Sequence, residues 1–568
     1  MNNVMRSLGV VAFVLAALSM AASPALAQVL PRSETLYVAG FQWGPVTHWN
    51  PLAASPPWPI SANGNPDQQG TGFIYETLFL YNLITGEYEP LLGRSMDWVD
   101  PYTLRIELQP GTRWQDGEPL TSADVVFTFE LAKRFALGYS SFWNYVTSVK
   151  AVDDRTVEIA LDPSKPNRPL VNHYVAYVFI LPEHIWGPVA DQGRTALMQF
   201  ENLNPVGSGP YRVHSYTAER IVLERVDNYW GESIYGMPVP RYLVHPIFKS
   251  NDAGNLALEQ GQVDWSQQFV PRVWTIPNVG TWLDEEPYYI PGSIPLMIIN
   301  VHRPGLDDVR VRRALAYSID YALIARTAMS SYSEPAKSSL ILPTGVESRY
   351  FNQENVERYG WKYDPAKAVE ILEKELGARK GPDGIYVLPN GTRLSFTVQT
   401  PYGWTDWMAA LEVVSQSARR VGIEVRTEFP QAPVVTTNVQ TGNFDLVLWY
   451  VSQVSPASPW TRLRDVLDDR GVPPLGEQAF QNYGRFSHPD VATLLDRAAS
   501  ASSEEELTQI YGELDRIFME NVPAIPLMYR PLLFYEFNTT HWTGFPTADN
   551  PTAPPVFYIS VLRTVKPR

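Results

Sequence analysis

Residues 114–130 read WQDGEPLTSADVVFTFE, and this stretch decides the fold more than any other. Just before it, the apolar residues of 104–108 alternate with polar ones, as in a half-buried strand. An Asp-Gly turn follows, and Thr121 with Asp124 three residues later is typical of a helix capping box. The pattern therefore predicts a strand, a turn and a helix that begins near Ser122.

The predicted helix has one apolar face. Val125, Val126 and Phe129 recur at helical spacing, so this face is expected to pack inward, while Asp124 is expected to stay in solvent. None of these side chains is chemically reactive in such a setting. The stretch therefore indicates a scaffold and not a catalytic site.

Three later fragments follow the opening stretch: VGSGPY at 206–211, LEQGQVD at 258–264 and DVRVRRALAYSID at 308–320. The glycines of the first are expected to adopt backbone angles that other residues resist. In order, the four fragments resemble the signature of the periplasmic solute-binding proteins that serve ABC importers, the dipeptide/oligopeptide-binding-like family (family 5, cluster C). The resemblance covers essentially all of the chain after its amino terminus and implies transport, not catalysis.

The resemblance also implies an α/β, periplasmic binding protein-like fold of two lobes with a hinge and an additional inserted domain. The hinge is expected at two crossovers, near 297–301 and 521–525. The implied division is a signal peptide at 1–27, domain I in three parts at 28–72, 203–297 and 523–568, domain II inserted at 73–202, and domain III at 298–522.

Strand-like and helical runs alternate along the chain, which independently indicates an α/β protein. With 568 residues, two or three domains are expected. The clearest predicted strands lie at 35–41, 156–161, 221–226 and 444–451, and the clearest predicted helices at 308–326, 364–376, 407–421 and 503–519.

The amino terminus reads MNNVMRSLGVVAFVLAALSMAASPALAQ, with Arg6 as its only charge. This pattern predicts a secretory signal peptide that is cleaved after Ala27. The apolar run is too short for a comfortable membrane span. A lipoprotein anchor needs a cysteine, and the chain has none. We therefore expect a free periplasmic monomer with no membrane anchor.

Composition restricts the partners. The formal net charge of −15 disfavours nucleic acid and anionic lipid as partners. The absence of cysteine excludes disulfides, cysteine metal sites and thiol nucleophiles. The partners that the resemblance implies are a small-molecule ligand and the membrane subunits of an ABC permease.

We find no catalytic constellation in the sequence. The eight histidines are scattered without metal-ligand spacing, and no phosphate-binding glycine motif occurs. Ser208 lacks the surroundings of a nucleophile elbow. No cofactor, no metal and no enzymatic activity are predicted; a secreted glycoside hydrolase, built on some pair of the many carboxylates, is the alternative of a different class.

Tryptophan is abundant, with 17 residues, and several lie in polar, turn-rich sequence. Sugar rings have apolar C–H faces and hydroxyl rims, so flat aromatic platforms beside amides and carboxylates suit them. Packing in the core is the alternative for each tryptophan. The predicted stacking residues are Trp43, Trp58, Trp265, Trp404, Trp407, Trp449 and Trp460.

Five polar residues beside these aromatics are predicted to contact ligand: Gln42, Asn50, Asn300, Asp406 and Gln453. Asn300 ends an apolar strand at the first crossover. Its alternative role is to cap that strand or brace the hinge.

An absence narrows the ligand class. According to the resemblance, peptide-binding members place an aspartate shortly after the Phe444-Asp445 strand, to pair with the peptide amino terminus. Here residues 446–464 contain no acidic side chain. A buried ammonium without a partner costs several kcal/mol. The sequence therefore favours a neutral oligosaccharide, β-linked as in cello-, xylo- or manno-oligosaccharides; a peptide, opine or other small solute is the alternative.

Overall fold

The computed structural model describes residues 30–42, 44–53, 56–60, 72–501, 503–556 and 558–568, so the predicted signal peptide lies outside it. Strands and helices alternate along the chain, which confirms the predicted α/β class. Within the described ranges, no helix is both long and apolar enough to cross a membrane.

The strands are β1 (Thr35–Ala39), β2 (Phe79–Tyr81), β3 (Tyr88–Pro90), β4 (Gly93–Asp100), β5 (Thr103–Leu108), β6 (Val146–Asp153), β7 (Thr156–Leu161), β8 (Tyr211–Tyr216), β9 (Arg220–Arg225), β10 (Tyr242–Pro246), β11 (Trp265–Ser266), β12 (Val279–Gly280), β13 (Pro291–Ser293), β14 (Leu296–Ile299), β15 (Arg379–Lys380), β16 (Tyr386–Val387), β17 (Ser395–Gln399), β18 (Glu424–Glu428), β19 (Leu446–Trp449), β20 (Ala524–Pro526), β21 (Arg530–Pro531), β22 (Glu536–Asn538), β23 (Trp542–Thr543) and β24 (Lys566–Pro567).

The α-helices are α1 (Ser122–Arg134), α2 (Arg168–Tyr177), α3 (Glu183–Ala190), α4 (Arg194–Gln199), α5 (Glu232–Tyr235), α6 (Asn251–Glu259), α7 (Val309–Ser318), α8 (Tyr321–Leu323), α9 (Gln353–Tyr359), α10 (Pro365–Glu370), α11 (Thr405–Val421), α12 (Ala432–Thr441), α13 (Trp460–Leu467), α14 (Val491–Ser500), α15 (Glu504–Asn521) and α16 (Val561–Thr564). Short 3₁₀ helices lie at Arg32–Glu34, Trp58–Ile60, Ser140–Asn144, Val273–Thr275 and Gly345–Tyr350, and π-helical turns at Ile324–Ala328 and Ile371–Glu375.

The opening stretch forms the predicted strand, turn and helix. α1 begins at Ser122, the Thr121 hydroxyl accepts a backbone N–H of the first turn, and the Asp124 carboxylate accepts the N–H of Thr121. Asp124 differs from its prediction, because it is buried and accepts a second bond from the N–H of Glu183 at 3.0 Å. Burial raises its pKa. The capping carboxylate therefore also joins α1 to α3.

The VGSGPY fragment needs glycine for a reason other than the predicted one. Neither Gly207 nor Gly209 has a positive φ. A Cβ at Gly207 would instead clash with the carbonyl of Ile74, and one at Gly209 with the carbonyl of Phe73. The prediction about backbone angles was therefore wrong, since what excludes larger residues is the close approach of two backbone segments.

We expect Gly207→Ala to lower the free energy of unfolding by about 1–3 kcal/mol, the usual cost of overpacking a rigid site. Gly44→Ala is the matched control, because a Cβ there has no neighbour within 4 Å. The control should change the unfolding free energy by less than about 0.5 kcal/mol. Urea unfolding followed by tryptophan fluorescence measures both, and equal midpoints for the two variants would contradict the close-approach explanation.

The largest sheet has seven strands in the order β12-β22-β11-β1-β10-β9-β8. β1 pairs in parallel with both β10 and β11, while the other neighbours are antiparallel. Its strands come from each of the three segments that were predicted to form domain I. A four-stranded antiparallel sheet, β4-β5-β7-β6, lies in the segment predicted as domain II.

A five-stranded sheet has the order β18-β17-β19-β14-β20. It lies mainly in the segment predicted as domain III, residues 298–522, which we call the third part of the chain, and its edge strand β20 follows that segment. Its strands β14 and β20 are antiparallel neighbours that lie at the two predicted crossovers, and β13 pairs with β21 beside them. The chain therefore crosses between the two larger sheets through paired strands. The residue boundaries of the three domains stay a prediction.

The lobe formed by the segments predicted as domains I and II contacts the other lobe, the third part of the chain, in two places. The Tyr332 hydroxyl, in the third part of the chain, donates to the carbonyl of Val270 and accepts the N–H of Val273 at 2.8 Å. In the second place, the ring of Tyr145 meets Trp460 edge-on, with centroids 6.3 Å apart. The structure therefore has the lobes in contact.

Candidate functional site

The carboxyl ends of three strands of the five-stranded sheet meet at one edge. β17 pairs in parallel with both β18 and β19. The loop after β17 carries Trp404, and Tyr450 directly follows β19. Ligands of open α/β sheets bind outside the carboxyl ends of the strands. This edge is therefore the first candidate for a binding site.

Three aromatic rings lie nearly parallel at this edge, and we call Trp404, Trp449 and Tyr450 the aromatic stack. Trp404 and Trp449 have ring centroids 5.7 Å apart at an interplanar angle of 17°, and Trp449 and Tyr450 are 4.8 Å apart at 18°. Trp407 meets Trp404 edge-on at 4.8 Å. Trp404 and Tyr450 are only half-buried. The structure thus brings together three of the predicted tryptophans. Trp407 and Trp449 are buried, so the accessible ring surface belongs to Trp404 and Tyr450.

An ion pair flanks the aromatic stack. Arg530 Nε donates to Asp406 Oδ2 at 2.8 Å, and the Asp406 side chain is almost fully buried. The guanidinium of Arg530 also lies over the ring of Phe534, 4.5 Å from its centroid. The charge of Asp406 is therefore neutralised within the protein. The pair also joins α11 to β21, which pairs with β13 beside the two crossovers.

The seven-stranded sheet presents its own carboxyl edge, after β1 and β11. Gln267 follows β11 there with 5% of its side chain exposed, and neither its amide oxygen nor its nitrogen has a hydrogen-bond partner among the described residues. Unpaired buried amides are rare in native proteins. Gln267 is a candidate ligand contact that was not among the predicted site residues, although it lies two positions after Trp265, which was.

Four predicted site residues lie in the lobe that contains the seven-stranded sheet. Trp58 is 1% exposed and packs on Phe41, while Trp265 is fully buried against Tyr535. Asn50 Nδ2 donates to the carbonyl of Leu197, and Gln42 Oε1 accepts the N–H of Trp58. These packing and hydrogen-bond contacts account for their positions, and a ligand contact stays a prediction for each.

The remaining predicted residues lie in the third part of the chain, apart from Trp43, which is outside the described residues. Asn300 is buried and its amide donates to the carbonyls of Gly442 and Phe444, in the connection that leads into the neighbouring strand β19, so a ligand contact stays a prediction. Gln453 is half-buried in the loop after β19. Trp460 is 2% exposed, and its indole N–H donates to the carbonyl of Leu495.

A carboxylate does reach the segment that lacks acidic residues. Asp465 Oδ2 accepts the backbone N–H and the hydroxyl of Ser452. Its other oxygen accepts from Arg464 at 2.6 Å. The charge of Asp465 is therefore matched inside the protein. A peptide ammonium at this position would have to compete with Arg464.

Several buried titratable groups favour their neutral forms. In the part of the chain that the structure describes, no three His, Cys, Asp or Glu side chains group as metal ligands. Burial raises the pKa of Glu536 well above its usual range, with Tyr289 donating to it at 2.6 Å. Burial also lowers the pKa of His173 to about 3 and that of His245 to about 4. The side chains at the two edges are suited to ring contacts and neutral hydrogen bonds.

Comparison with known families agrees with this architecture. The family model described as bacterial extracellular solute-binding proteins, family 5 middle, matches residues 87–470. That span is well over half of the chain. The chain therefore belongs to the family 5 bacterial extracellular solute-binding proteins, whose members similar to it are substrate-binding proteins of ABC transporters, not enzymes.

Three similar proteins illustrate the range of the family. A mannohexaose-bound crystal structure of a periplasmic oligopeptide-binding protein from Thermotoga maritima is 32% identical, covers 95% of this chain and 99% of its own, and has a TM-score of 0.85. "Probable peptide-binding protein YejA" from Agrobacterium fabrum is 26% identical over 86% of each chain. "Uncharacterized protein y4wM" from Sinorhizobium fredii is 27% identical over 81% of this chain and 74% of its own.

Proposed function

We propose that this substrate-binding protein captures an oligosaccharide between its lobes and delivers it to an ABC permease. A β-linked chain such as a cello-, xylo- or manno-oligosaccharide is the proposed ligand. Binding favours the closed arrangement of the lobes through contacts that only this arrangement makes, and the closed form docks on the permease. We further propose that the mature protein is free in the periplasm after signal-peptide cleavage.

The aromatic stack is the observation that carries the ligand class. Its rings offer flat apolar surface, and the adjoining carboxylate Asp406 is already matched by Arg530. The buried carboxylate beside the stack therefore needs no cationic ligand group, which suits a neutral ligand. The T. maritima protein, at 32% identity, was crystallised with mannohexaose, which supports the same class.

A peptide is the second candidate, because several similar proteins are named for peptide binding. A peptide is disfavoured because the carboxylate of Asp465, which could bind its ammonium group, already pairs with Arg464. Opines and other small solutes of the same family remain alternatives within this class. Turnover of a chromogenic glycoside, the property of the hydrolase alternative, would contradict the binding function.

We expect Trp404→Ala to weaken oligosaccharide binding by about tenfold or more, equal to about 1.4 kcal/mol, because it removes an accessible ring face. Isothermal titration against cello-, xylo- and manno-oligosaccharides and against peptides measures this. Trp98→Ala is the matched control: Trp98 lies in the four-stranded sheet, where Arg168 covers its ring, so affinity should not change. Tight peptide binding by the wild-type protein, with no response to any sugar, would overturn the proposed ligand class.

A further inference from the structure

Tyr332 belongs to the third part of the chain, but its side chain packs against the opposite lobe. The residue is 1% exposed. Its hydroxyl donates to the carbonyl of Val270 and accepts the N–H of Val273 at 2.8 Å. The burial of this side chain therefore depends on the contact between the lobes. Its ring lies among aromatic rings of the opposite lobe, with centroids 4.8–6.5 Å away: Phe269, Trp274, Tyr288, Tyr289 and Phe534.

The backbone that binds the Tyr332 hydroxyl is held by the seven-stranded sheet. Val270 and Val273 lie in the connection between β11 and β12. Both of these strands pair with β22 in that sheet. The neighbouring Trp274 ring stacks on Tyr288 at an interplanar angle of 15°, with centroids 5.4 Å apart. This connection is therefore part of the opposite lobe and does not follow the third part of the chain when the lobes move.

Left-handed backbone occurs on both sides of the contact. Ser330 and Ser331, which precede Tyr332, have φ angles of 51° and 59°. Arg272, on the opposite lobe, has a φ of 50°, and its N–H donates to Ser330 Oγ across the contact at 3.4 Å. The π-helical turn Ile324–Ala328, a feature that is frequent at functional sites, leads into this segment. Residues other than glycine keep such angles where surrounding contacts fix them, and they cluster at switch regions. The strain is therefore located where the lobes meet.

Opening of the lobes would break this contact. Tyr332 lies outside both predicted hinge crossovers, near 297–301 and 521–525, so it moves with the third part of the chain. Its ring would then enter water, and water would replace the two partners of its hydroxyl. Exposing a buried aromatic ring is unfavourable. The contact therefore favours the closed arrangement of the lobes before any ligand binds.

We propose that Tyr332 is a latch, a side chain that holds the two lobes closed in the absence of ligand and thereby sets the affinity for ligand. This inference rests on the lobe closure of the proposed function and not on the identity of the ligand. A ligand that binds the closed form has an apparent affinity proportional to the closed fraction of the protein. Tyr332 is thus a positioning residue, which acts without touching the ligand.

The test is the arrangement of the lobes in the ligand-free protein. The protein is unfolded to remove any retained ligand and refolded, and small-angle X-ray scattering gives its radius of gyration. Wild-type scattering should fit the closed arrangement of this structure. Tyr332→Phe removes only the hydroxyl and should lower the ratio of closed to open molecules by about threefold to tenfold, which raises the radius of gyration. Tyr332→Ala also removes the ring and should raise it further.

Tyr321→Phe is the matched control. The Tyr321 hydroxyl also donates to a carbonyl, that of Ala316 at 2.8 Å, and accepts an N–H, that of the Trp361 indole at 2.9 Å. Both partners lie in the third part of the chain, so the radius of gyration should not change. An unchanged radius in both Tyr332 variants would overturn the latch, even if they were less stable, because Tyr332 would then only pack. Wild-type scattering that fits a more open arrangement would overturn it as well.

Binding provides a second readout. In isothermal titration with mannohexaose, the apparent Kd of Tyr332→Phe should rise by the factor by which its closed fraction falls, while Tyr321→Phe should match the wild-type protein. Equal affinity of Tyr332→Phe and the wild-type protein, with the variant more open, would contradict the link between the latch and affinity. If the wild-type protein binds no saccharide while the Tyr332 variants still open, the latch holds and the proposed ligand class is overturned.

Discussion

Arg462→Ala is expected to lower the free energy of unfolding by about 3–5 kcal/mol, the usual cost of removing one partner of a buried ion pair. Arg462 is 0% exposed, and its guanidinium donates to both carboxylate oxygens of Glu347, at 2.7 and 3.0 Å. It also donates to the carbonyls of Ser452 and Leu340. Removing it leaves a buried carboxylate and two carbonyls without these donors.

The same contacts link this prediction to ligand binding, because Ser452 lies in the loop between the aromatic stack and Trp460. Urea unfolding followed by tryptophan fluorescence measures the stability. Arg105→Ala is the matched control, since Arg105 forms an exposed pair with Glu158 and should cost no more than about 1 kcal/mol. If the two variants lost similar amounts of unfolding free energy, the buried contacts of Arg462 would not stabilise the fold more than an exposed ion pair does.

Much of the scaffold could be predicted because its signals are local. The capping box at Thr121 and the alternation in β7 each involve a few neighbouring residues, so they can be read from the sequence alone. Asp124 shows the limit of such reasoning. Its second hydrogen bond comes from Glu183, about sixty positions away, and nothing near Asp124 in the sequence announces this partner.

The tryptophans also include some whose positions follow from nearby strands and others whose burial depends on distant residues. Trp404 follows β17 and Trp449 ends β19, and the parallel pairing of these two strands brings both residues to one edge. Trp265 also lies in a strand beside polar residues, yet it is fully buried because Tyr535 and Phe545 cover it from the far end of the chain. Local sequence cannot distinguish these cases, since burial depends on distant partners. For the same reason, the pairing of Asp465 with Ser452 was not predicted.

Glu76→Gln is expected to change the pH dependence of stability, because Glu76 is fully buried. Its carboxyl group accepts from the Tyr229 hydroxyl at 2.6 Å and from the Trp230 indole N–H at 3.0 Å. Burial outweighs these bonds and raises its pKa to about 7 from 4.5. The folded state therefore keeps the proton where the unfolded state loses it. The contribution of Glu76 to stability is therefore most favourable below pH 4.5 and declines as the pH rises to about 7.

Relative to the wild-type protein, Glu76→Gln should accordingly gain on the order of 3 kcal/mol in unfolding free energy between pH 4 and pH 8. Urea unfolding at a series of pH values measures the difference, in which the other titrating groups cancel. Glu424→Gln is the control of opposite sign. Hydrogen bonds from Arg393 and Ser395 lower the pKa of Glu424 to about 2. The ionised Glu424 therefore stabilises the wild-type protein above pH 4.5, and this stabilisation is lost as the pH falls below 4.5. A difference for Glu76→Gln that stays constant with pH would show that the buried carboxyl group does not titrate in this range, and its hydrogen bonds to Tyr229 and Trp230 would then outweigh its burial.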